Sequence, residues 1–263
     1  MLSLLSTLLL IAGFLYAIRD VILPQAAGTG TNQNQGIAEL PREEEPNTTP
    51  STMGVLNVTA IGDSLAKGTG DDSGKGFARR VVELFKEQGT ESKLVNNLGI
   101  NGLTTDGLIT LLDEKGVQYS LEQANIIVLS IGGNDLFDGA QNLQSGGQLP
   151  TELELEQSVT QASERFKVIV DKLVEINPEA QLVYISLYNP LSDLPVMREI
   201  GNKAVARWNN IVSDILSGRE TVHTVPTYDL FTKNSEKYLT SDHFHPNGAG
   251  YQIIAERIMQ GVY

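Results

Sequence analysis

The sequence has no cysteine among its 263 residues, and this absence excludes several kinds of chemistry at once. Disulfide bonds, thiolate nucleophiles, thiolate metal sites and a lipid-modified N-terminal cysteine all need that side chain. Histidine is nearly as rare, since the chain contains three, and tryptophan occurs once. Any chemistry that depends on an imidazole must therefore use one of three positions.

Positive charge is also scarce. The chain has 19 lysine and arginine residues against 32 aspartate and glutamate residues, which gives a formal net charge of −13. A surface this acidic repels phosphate backbones, so we expect no nucleic-acid partner. Hydrophobic residues make up 41% of the chain and charged residues 19%, which is ordinary for a globular protein with a sizeable core.

The N-terminus lacks charge up to Ile18 and continues with Arg19 and Asp20. Extended to Leu23, the apolar run reaches the roughly 20 residues that a membrane-spanning helix needs. A basic start and a good cleavage site, both typical of signal peptides, are missing. We therefore expect residues 1–23 to be a membrane anchor, with a cleaved signal segment or a buried helix as alternatives.

The predicted anchor would place the rest of the chain outside the cell, and a secreted form is the alternative. Arg19, which follows the apolar run, argues weakly against export under the positive-inside rule. Residues 24–53 are dominated by glycine, proline, threonine, asparagine, glutamine and glutamate. Such a segment has too few apolar residues to offset the entropy of ordering, so it is predicted to be a disordered linker. Residues 54–263 are then predicted to form one folded domain.

Five apolar stretches in that domain predict β-strands: VLNVTAIG, KLVNNLG, NIIVLSIG, QLVYISLY and the weaker TVHTVPT. Between them lie segments in which apolar residues recur every three or four positions, as in helices. These segments cover residues 77–88, 155–176, 196–216 and 247–259. Alternating strands and helices, with strands apolar on both faces, predict an α/β fold whose parallel sheet is covered on both sides.

Three of the predicted strands end in glycine-rich turns, IGDSLAKG, NLGINGLTT and IGGNDLF, which contain Ser64, Gly102 and Asn134. The carboxyl ends of parallel strands share one edge of a sheet, and ligands bind at that edge. Glycine there allows strained backbone angles and close approach to a ligand. We expect the three turns to contribute to one site.

The stretch SDHFHPNGAGY near the C-terminus contains two of the three histidines. His245 follows Asp242 by three residues, a spacing that lets an aspartate accept the Nδ1 proton while Nε2 faces a nucleophile. Pro246 suits the first position of the helix that follows. Asp242 and His245 are therefore candidates for the orienting group and the base of a serine nucleophile, Ser64.

Ester hydrolysis through a covalent intermediate also needs hydrogen-bond donors for the developing oxyanion. The candidates are the backbone N–H groups of Ser64 and Gly102 and the side-chain amide of Asn134. Tyr188 and Asn189 end the fourth strand at the same edge, so we expect them to line the substrate cleft. Asp63 and Asp135 lie inside the glycine-rich turns, and we expect turn-forming roles for them.

Four blocks of the sequence resemble the signature blocks of the GDSL/SGNH hydrolase family. They are GDSL at 62–65, N-x-x-x-x-G-x-T at 97–104, GGND at 132–135 and D-x-x-H at 242–245. They occur in the family's order and extend over nearly the whole predicted domain. The apolar N-terminus and linker resemble those of membrane-anchored, lipase-like members from Gram-positive bacteria.

The resemblance implies a three-layer α/β/α fold of the flavodoxin-like kind and a carboxylic ester hydrolase that needs no cofactor. It implies that Ser64 is the nucleophile, His245 the base and Asp242 its orienting group. It also implies that Gly102 and Asn134 are oxyanion donors. These roles are the same as those argued from the residues.

His243 is a departure from the family, because many members have a small residue such as glycine there. We expect it to line the turn and narrow the pocket. A metal pair of His243 and His245 is the alternative, but zinc needs a third ligand, and only His223 and scattered carboxylates remain.

The sequence as a whole predicts a membrane-tethered serine esterase or lipase that hydrolyses lipid or short-acyl esters without metal or cofactor. One alternative is an acetylesterase that acts on a cell-wall or other polysaccharide. A non-catalytic ligand-binding module and a metal-dependent hydrolase are two further alternatives.

Overall fold

The centre of the fold is a parallel β-sheet of five strands in the order β2-β1-β3-β4-β5. The structure is a computed structural model, and it describes residues 54–141, 150–232 and 234–262. All five strands fall within the predicted stretches or within one residue of them. Their bounds are Leu56–Gly62 (β1), Ser92–Gly99 (β2), Ile126–Ser130 (β3), Gln181–Ile185 (β4) and Val222–Val225 (β5).

Helices connect the strands, and four of the helices agree with the predicted segments to within three residues at either end. These are Gly76–Glu87 (α2), Glu152–Ile176 (α6), Pro195–Leu216 (α7) and Gly248–Val262 (α10). Six shorter helices were not predicted, because so few residues do not establish a helical period. They are Ser64–Lys67 (α1), Thr105–Leu111 (α3), Lys115–Glu122 (α4), Gly133–Gln141 (α5), Tyr228–Thr232 (α8) and Ser235–Tyr238 (α9).

Alternate residues of the central strands belong to two separate hydrophobic clusters, one on each face of the sheet. The cluster that includes helices α3 to α7 takes Ile61, Ile127, Leu129, Leu182 and Tyr184 from the strands. The cluster that includes α1, α2 and α10 takes Val58, Ala60, Ile126, Val128, Val183 and Ile185. Because side chains alternate across a strand, burial on both faces requires apolar residues at every position. The three-layer α/β/α prediction is confirmed.

Trp208 on α7 fixes the loop that follows β3. It is fully buried, and its indole Nε1 donates to the Tyr184 hydroxyl at 2.8 Å, which in turn donates to the Ile131 carbonyl at 3.2 Å. The ring lies so close to Gly132 that a Cβ atom there would be 2.4 Å from Trp208. Trp208 and Tyr184 thus hold the loop with the GGND sequence against the hydrophobic core.

The predicted anchor, residues 1–23, and the predicted linker, residues 24–53, lie outside the described residues. Within the part of the chain that the structure describes, no helix combines the length and the apolar character that crossing a membrane requires.

Candidate active site

Ser64 is the first residue of α1, two residues after the end of the inner strand β1. The chain turns sharply at Gly62, which has φ 134°, and a Cβ atom at this position would be 1.8 Å from the Ser130 carbonyl oxygen. Only glycine fits such a close approach between two strand ends. The turn places the nearly buried Ser64 hydroxyl at the carboxyl edge of the sheet.

Asp63 caps the helix that begins at Ser64. Its Oδ1 accepts hydrogen bonds from Leu65 N at 3.0 Å and from Ser130 Oγ at 2.8 Å. The side chain is buried, and burial raises its pKa to about 7, although these hydrogen bonds act in the opposite direction. The turn-forming role expected for Asp63 agrees with this geometry.

His245 and Asp242 lie in a tight turn between α9 and α10. His245 Nδ1 is 2.7 Å from Asp242 Oδ2, and Asp242 Oδ1 accepts from the backbone N–H groups of Phe244 and His245 at 2.8 and 2.9 Å. Partial burial alone would raise the pKa of Asp242, but hydrogen bonds from Thr240, His245 and the backbone lower it to about 2. At neutral pH Asp242 is therefore a carboxylate that can only accept.

The same histidine reaches the nucleophile. Its Nε2 lies 2.9 Å from Ser64 Oγ. Because the Asp242 carboxylate accepts, Nδ1 of His245 carries the proton, and Nε2 is left to accept the proton of the Ser64 hydroxyl. Hydroxyl, imidazole and carboxylate are thus connected in the order that a serine nucleophile requires.

Contacts from elsewhere in the fold brace the histidine turn. The buried Tyr188 hydroxyl donates to the Phe244 carbonyl at 2.8 Å, and Thr240 N donates to the His245 carbonyl at 2.8 Å. The expectation that Pro246 begins the next helix was wrong. Helix α10 begins at Gly248, and Pro246 instead forms an antiparallel bridge with Leu239.

The three predicted oxyanion donors lie on three different elements, and the Ser64 N–H is at the start of α1. Asn134, at the start of α5, is buried, and its Nδ2 donates to the Leu103 carbonyl at 2.9 Å. Gly102 lies in an exposed turn after β2, with φ 74°. That turn is closed by a bond from Leu103 N to the Ile100 carbonyl at 3.2 Å.

A cleft of about 340 Å³, its open mouth included, lies beside Ser64. Asn134 and Tyr188 border this cleft, and most of its other walls are apolar side chains, namely Leu65, Phe137, Leu187, Pro190 and Phe244. Asn189, also expected to line the cleft, is not among the lining residues. Its amide instead ties the loop after β4 to α7, because Nδ2 donates to Asn202 Oδ1 on α7 at 2.9 Å and Oδ1 accepts from Leu191 N at 3.0 Å.

His243 differs from His245 in almost every respect. It has φ 57° and is the one non-glycine residue with positive φ within the described ranges. Its side chain is 62% exposed, and Nδ1 lies 2.6 Å from Asp193 Oδ2. The two ring nitrogens of His245 contact Asp242 and Ser64 instead. Among the described residues no three histidine, aspartate or glutamate side chains form a cluster suited to a metal ion.

Sequence reasoning missed some contributors to the site. The Thr240 hydroxyl donates to Asp242 Oδ1, and Asp135 is bonded to Thr105 and Arg165. A hydroxyl two residues before the aspartate is a weak local signal for the first contact. No pattern in the sequence indicates the second, because these residues belong to three separate helices.

A serine, a histidine and an aspartate hydrogen-bonded in series at the carboxyl edge of a parallel sheet are the arrangement typical of serine hydrolases of the α/β class. The chain belongs to the GDSL-like lipase/acylhydrolase family, whose model matches residues 60–253. This result confirms the resemblance drawn from the four sequence blocks. Membership makes the protein a hydrolase of the lipase and esterase type.

Individual relatives agree with the family assignment. The uncharacterized protein YpmR of Bacillus subtilis is 34% identical over 209 residues, which cover 78% of this chain and 80% of that protein. The spore germination lipase LipC of Bacillus licheniformis is 25% identical over 213 residues, covering 79% of this chain and 97% of LipC. The crystal structure of the lipase Lip_vut3 from a goat rumen metagenome has the same fold, with a TM-score of 0.67. That lipase is 22% identical to this chain, and the match covers 78% of this chain and 97% of the lipase.

Proposed function

We propose that the protein is a serine esterase that hydrolyses carboxylic esters through an acyl-enzyme. The observation that carries this proposal is that Ser64, His245 and Asp242 are connected by hydrogen bonds beside an apolar cleft. Ser64 Oγ is 2.9 Å from His245 Nε2, and His245 Nδ1 is 2.7 Å from Asp242 Oδ2. Nucleophile, base and orienting group each have the partner that their role requires.

In the proposed reaction the Ser64 oxygen attacks the ester carbonyl carbon while its proton passes to His245 Nε2. The tetrahedral intermediate carries a negative oxygen, which backbone N–H groups of Ser64 and Gly102 and the Asn134 amide stabilise. Collapse breaks the bond to the alcohol, which leaves with the proton from His245. Water then attacks the acyl-enzyme by the same route, releasing the acid and restoring Ser64.

The shape and polarity of the cleft favour an acyl chain as its occupant. Its walls are mostly apolar, so burying hydrocarbon there is favourable by about 25 cal/mol for each Å² removed from water. LipC and Lip_vut3 are both called lipases, whereas a family 3 carbohydrate esterase and an acetylxylan esterase share the fold. The apolar walls of the cleft therefore support a lipid or short-acyl ester as the substrate class, in preference to an acetylated polysaccharide.

The test is an assay of the full-length chain beside the Ser64→Ala variant on p-nitrophenyl esters from acetyl to palmitoyl. Each ester is measured with and without EDTA. We expect hydrolysis that is abolished by Ser64→Ala and unaffected by the chelator. Circular dichroism must show that Ser64→Ala is folded, because only then does the loss of turnover report on the nucleophile.

The chain-length optimum decides the substrate class. An optimum at butyryl or longer would support lipid or short-acyl esters, whereas activity restricted to acetyl would favour the acetylesterase alternative. Activity lost in EDTA would contradict the metal-free mechanism. No hydrolysis of any ester would favour a ligand-binding module instead.

We also propose that the protein is anchored to a membrane by residues 1–23, with the hydrolase domain outside the cell or, alternatively, secreted. The support is the apolar sequence up to Leu23, followed by a linker poor in apolar residues. Fractionation of cells that express the full-length chain tests this. An anchored protein stays with membranes in alkaline carbonate and dissolves in detergent, whereas a secreted form is found in the medium.

A further inference from the structure

The proposed oxyanion hole, which rests on the function proposed above, needs the donors of Gly102 and Asn134, which lie on separate elements, to stay in register with each other and with the Ser64 N–H. Gly102 lies in the loop after β2, and Asn134 lies 32 residues later at the start of α5. The loop after β2 is attached to the turn that precedes Ser64, because Ile100 N donates to the Gly62 carbonyl at 2.9 Å. Asn134 has to be placed relative to that attached loop.

The residue next to Asn134 makes this connection. Asp135 is nearly buried, with 3% of its side chain exposed. Its Oδ2 accepts from Thr105 N at 2.9 Å, and its Oδ1 accepts from the Thr105 hydroxyl at 2.6 Å. One carboxylate thus binds the backbone and the side chain of a single residue, which defines both the distance and the orientation of the two elements.

A third helix completes the cluster. Arg165 of α6 donates from Nε to the Thr105 hydroxyl at 2.8 Å and from its terminal guanidinium nitrogen to Asp135 Oδ1 at 3.2 Å. The Thr105 oxygen therefore accepts one hydrogen bond and donates another. The buried carboxylate has a cationic partner, as a charge in the interior requires.

The same loop also orients the amide of Asn134, since Asn134 Nδ2 donates to the Leu103 carbonyl at 2.9 Å. Leu103 at the end of the loop and Thr105 at the start of α3 are two residues apart, and they bind the side chains of two consecutive residues of α5. The loop thereby serves as a template against which the start of α5 is aligned.

We infer that Asp135 is the positioning residue of the oxyanion hole, and that it acts by fixing Asn134 against the Gly102 loop through Thr105 and Arg165. This goes beyond a turn-forming role, because the partners of Asp135 lie 30 residues away in the chain. It also predicts how variants of Asp135 and Asn134 depend on each other.

The test is a double-mutant cycle on the full-length chain with Asp135→Asn, Asn134→Ala and the double variant. Both carboxylate oxygens of Asp135 accept a hydrogen bond from Thr105. An asparagine at this position has one oxygen that accepts and one amide group that donates, so the connection to Thr105 weakens. We expect kcat to fall about 10²-fold to 10³-fold in Asn134→Ala and about 10-fold to 10²-fold in Asp135→Asn. KM should change less than about 3-fold.

The double variant decides between positioning and general support of the fold. If Asp135 acts through Asn134, the double variant loses no more than about 3-fold beyond Asn134→Ala alone. If the two losses multiply, Asp135 acts independently of Asn134 and the inference is overturned. A wild-type chain without any turnover would overturn the proposed function and this inference together, whereas active wild type with multiplying losses overturns the inference alone.

A second pair of variants covers the case in which Asp135→Asn does not fold. Thr105→Val removes the hydroxyl that bridges Asp135 and Arg165, while Thr105→Ser keeps it. We expect kcat to fall in Thr105→Val about as much as in Asp135→Asn, and to fall much less in Thr105→Ser. Equal losses in both would contradict the inference. Asp171→Asn is the matched control, because it removes a carboxylate that pairs with Arg219 at 2.6 Å farther along α6, and its kcat should equal that of wild type.

Discussion

The two sides of the active site are built in opposite ways. The base side is a single turn, in which Asp242 and His245 are three residues apart and already bonded to each other. The oxyanion side is assembled from loops and helices distant in sequence, since Asp135 and Thr105 are 30 residues apart and Thr105 and Arg165 are 60 apart. A local turn keeps its internal geometry wherever it is placed, whereas the oxyanion side exists only when the surrounding helices are packed.

The carboxyl groups of Asp242, on the base side, and Asp63, in the turn before Ser64, also differ. Asp242 on the base side is 44% exposed and has its pKa lowered to about 2 because hydrogen bonds outweigh the effect of partial burial. Asp63 on the sheet edge is buried, and its pKa is raised to about 7 because burial outweighs its hydrogen bonds. Exposure and the number of donors thus decide how far each of the two carboxyl groups is ionised at neutral pH.

The largest effect is expected from breaking the base side with Asp242→Asn. The asparagine can present an N–H to His245 Nδ1 where the carboxylate accepted, which favours the wrong tautomer of the ring. We expect kcat to fall about 10⁴-fold with little change in KM. Steady-state kinetics on the best p-nitrophenyl ester measures this, and Ser64→Ala gives the background rate. A variant that keeps a tenth of wild-type kcat would exclude the assigned role of Asp242.

The next largest effect concerns stability at the sheet edge. Folded Asp63 keeps its proton up to a pH of about 7, while the unfolded chain loses it near pH 4. The folded state therefore binds more protons between these values, and stability falls as the pH rises through this range. Asp63→Asn keeps an oxygen that can accept from Leu65 and Ser130, but it has no proton to lose.

Between pH 5.5 and pH 8 we expect the free energy of unfolding to decrease in wild type by about 2 kcal/mol more than in Asp63→Asn. The extra decrease is about 1.4 kcal/mol for each pH unit below 7. Urea unfolding followed by circular dichroism measures both values. Asp171→Asn is a suitable control, because hydrogen bonds from Lys167 and Arg219 lower the pKa of Asp171. An identical pH dependence in wild type and Asp63→Asn would mean that Asp63 is ionised throughout.

A smaller effect is expected from Tyr188→Phe, which removes a hydrogen bond between the carboxyl edge of the sheet and the turn that contains His245. The buried hydroxyl donates to the Phe244 carbonyl, next to His245. Its loss should lower the free energy of unfolding by about 1 kcal/mol and reduce kcat several-fold, because the histidine is held less firmly. Urea unfolding and kinetics on the same preparation test this. Unchanged kcat with reduced stability would show that the local turn positions His245 without help.

The smallest effect is expected from His243→Gly. Positive φ costs a non-glycine residue about 1–2 kcal/mol, and glycine removes that cost. The contact between the His243 ring and the Asp193 carboxylate contributes at most about 1 kcal/mol, and it is lost. We expect the change in unfolding free energy to stay within about 1 kcal/mol and kcat to match wild type. A large loss of kcat would assign His243 to the chemistry.

The contrast between local and distant contacts also explains what could be read from the sequence. The strands and the four long helices were predicted because their periodicity extends over enough residues. The Asp242 and His245 contact was predicted because its spacing is local. The Asp135, Thr105 and Arg165 cluster was not, because nothing in the chain specifies which side chains meet across three helices.

Asn189 shows a second limit of sequence reasoning. Its position after β4 correctly predicts the edge of the sheet, but not the direction of its side chain, which donates a hydrogen bond to Asn202 on α7. Neighbouring Tyr188 does border the cleft. Consecutive residues at a strand end point in different directions, and only the packing around them determines which one faces the substrate.

The connection between Ser64 and His245 has a consequence for how the protein matures. The two residues are 181 positions apart, and the sheet must form all its parallel crossovers before their side chains meet. Contacts of such large sequence separation form slowly. Under the proposed mechanism, a chain still emerging from the ribosome has Ser64 but not yet His245, so the growing polypeptide is not expected to attack esters around it. Recovery of esterase activity during refolding should accordingly report the completion of the whole domain.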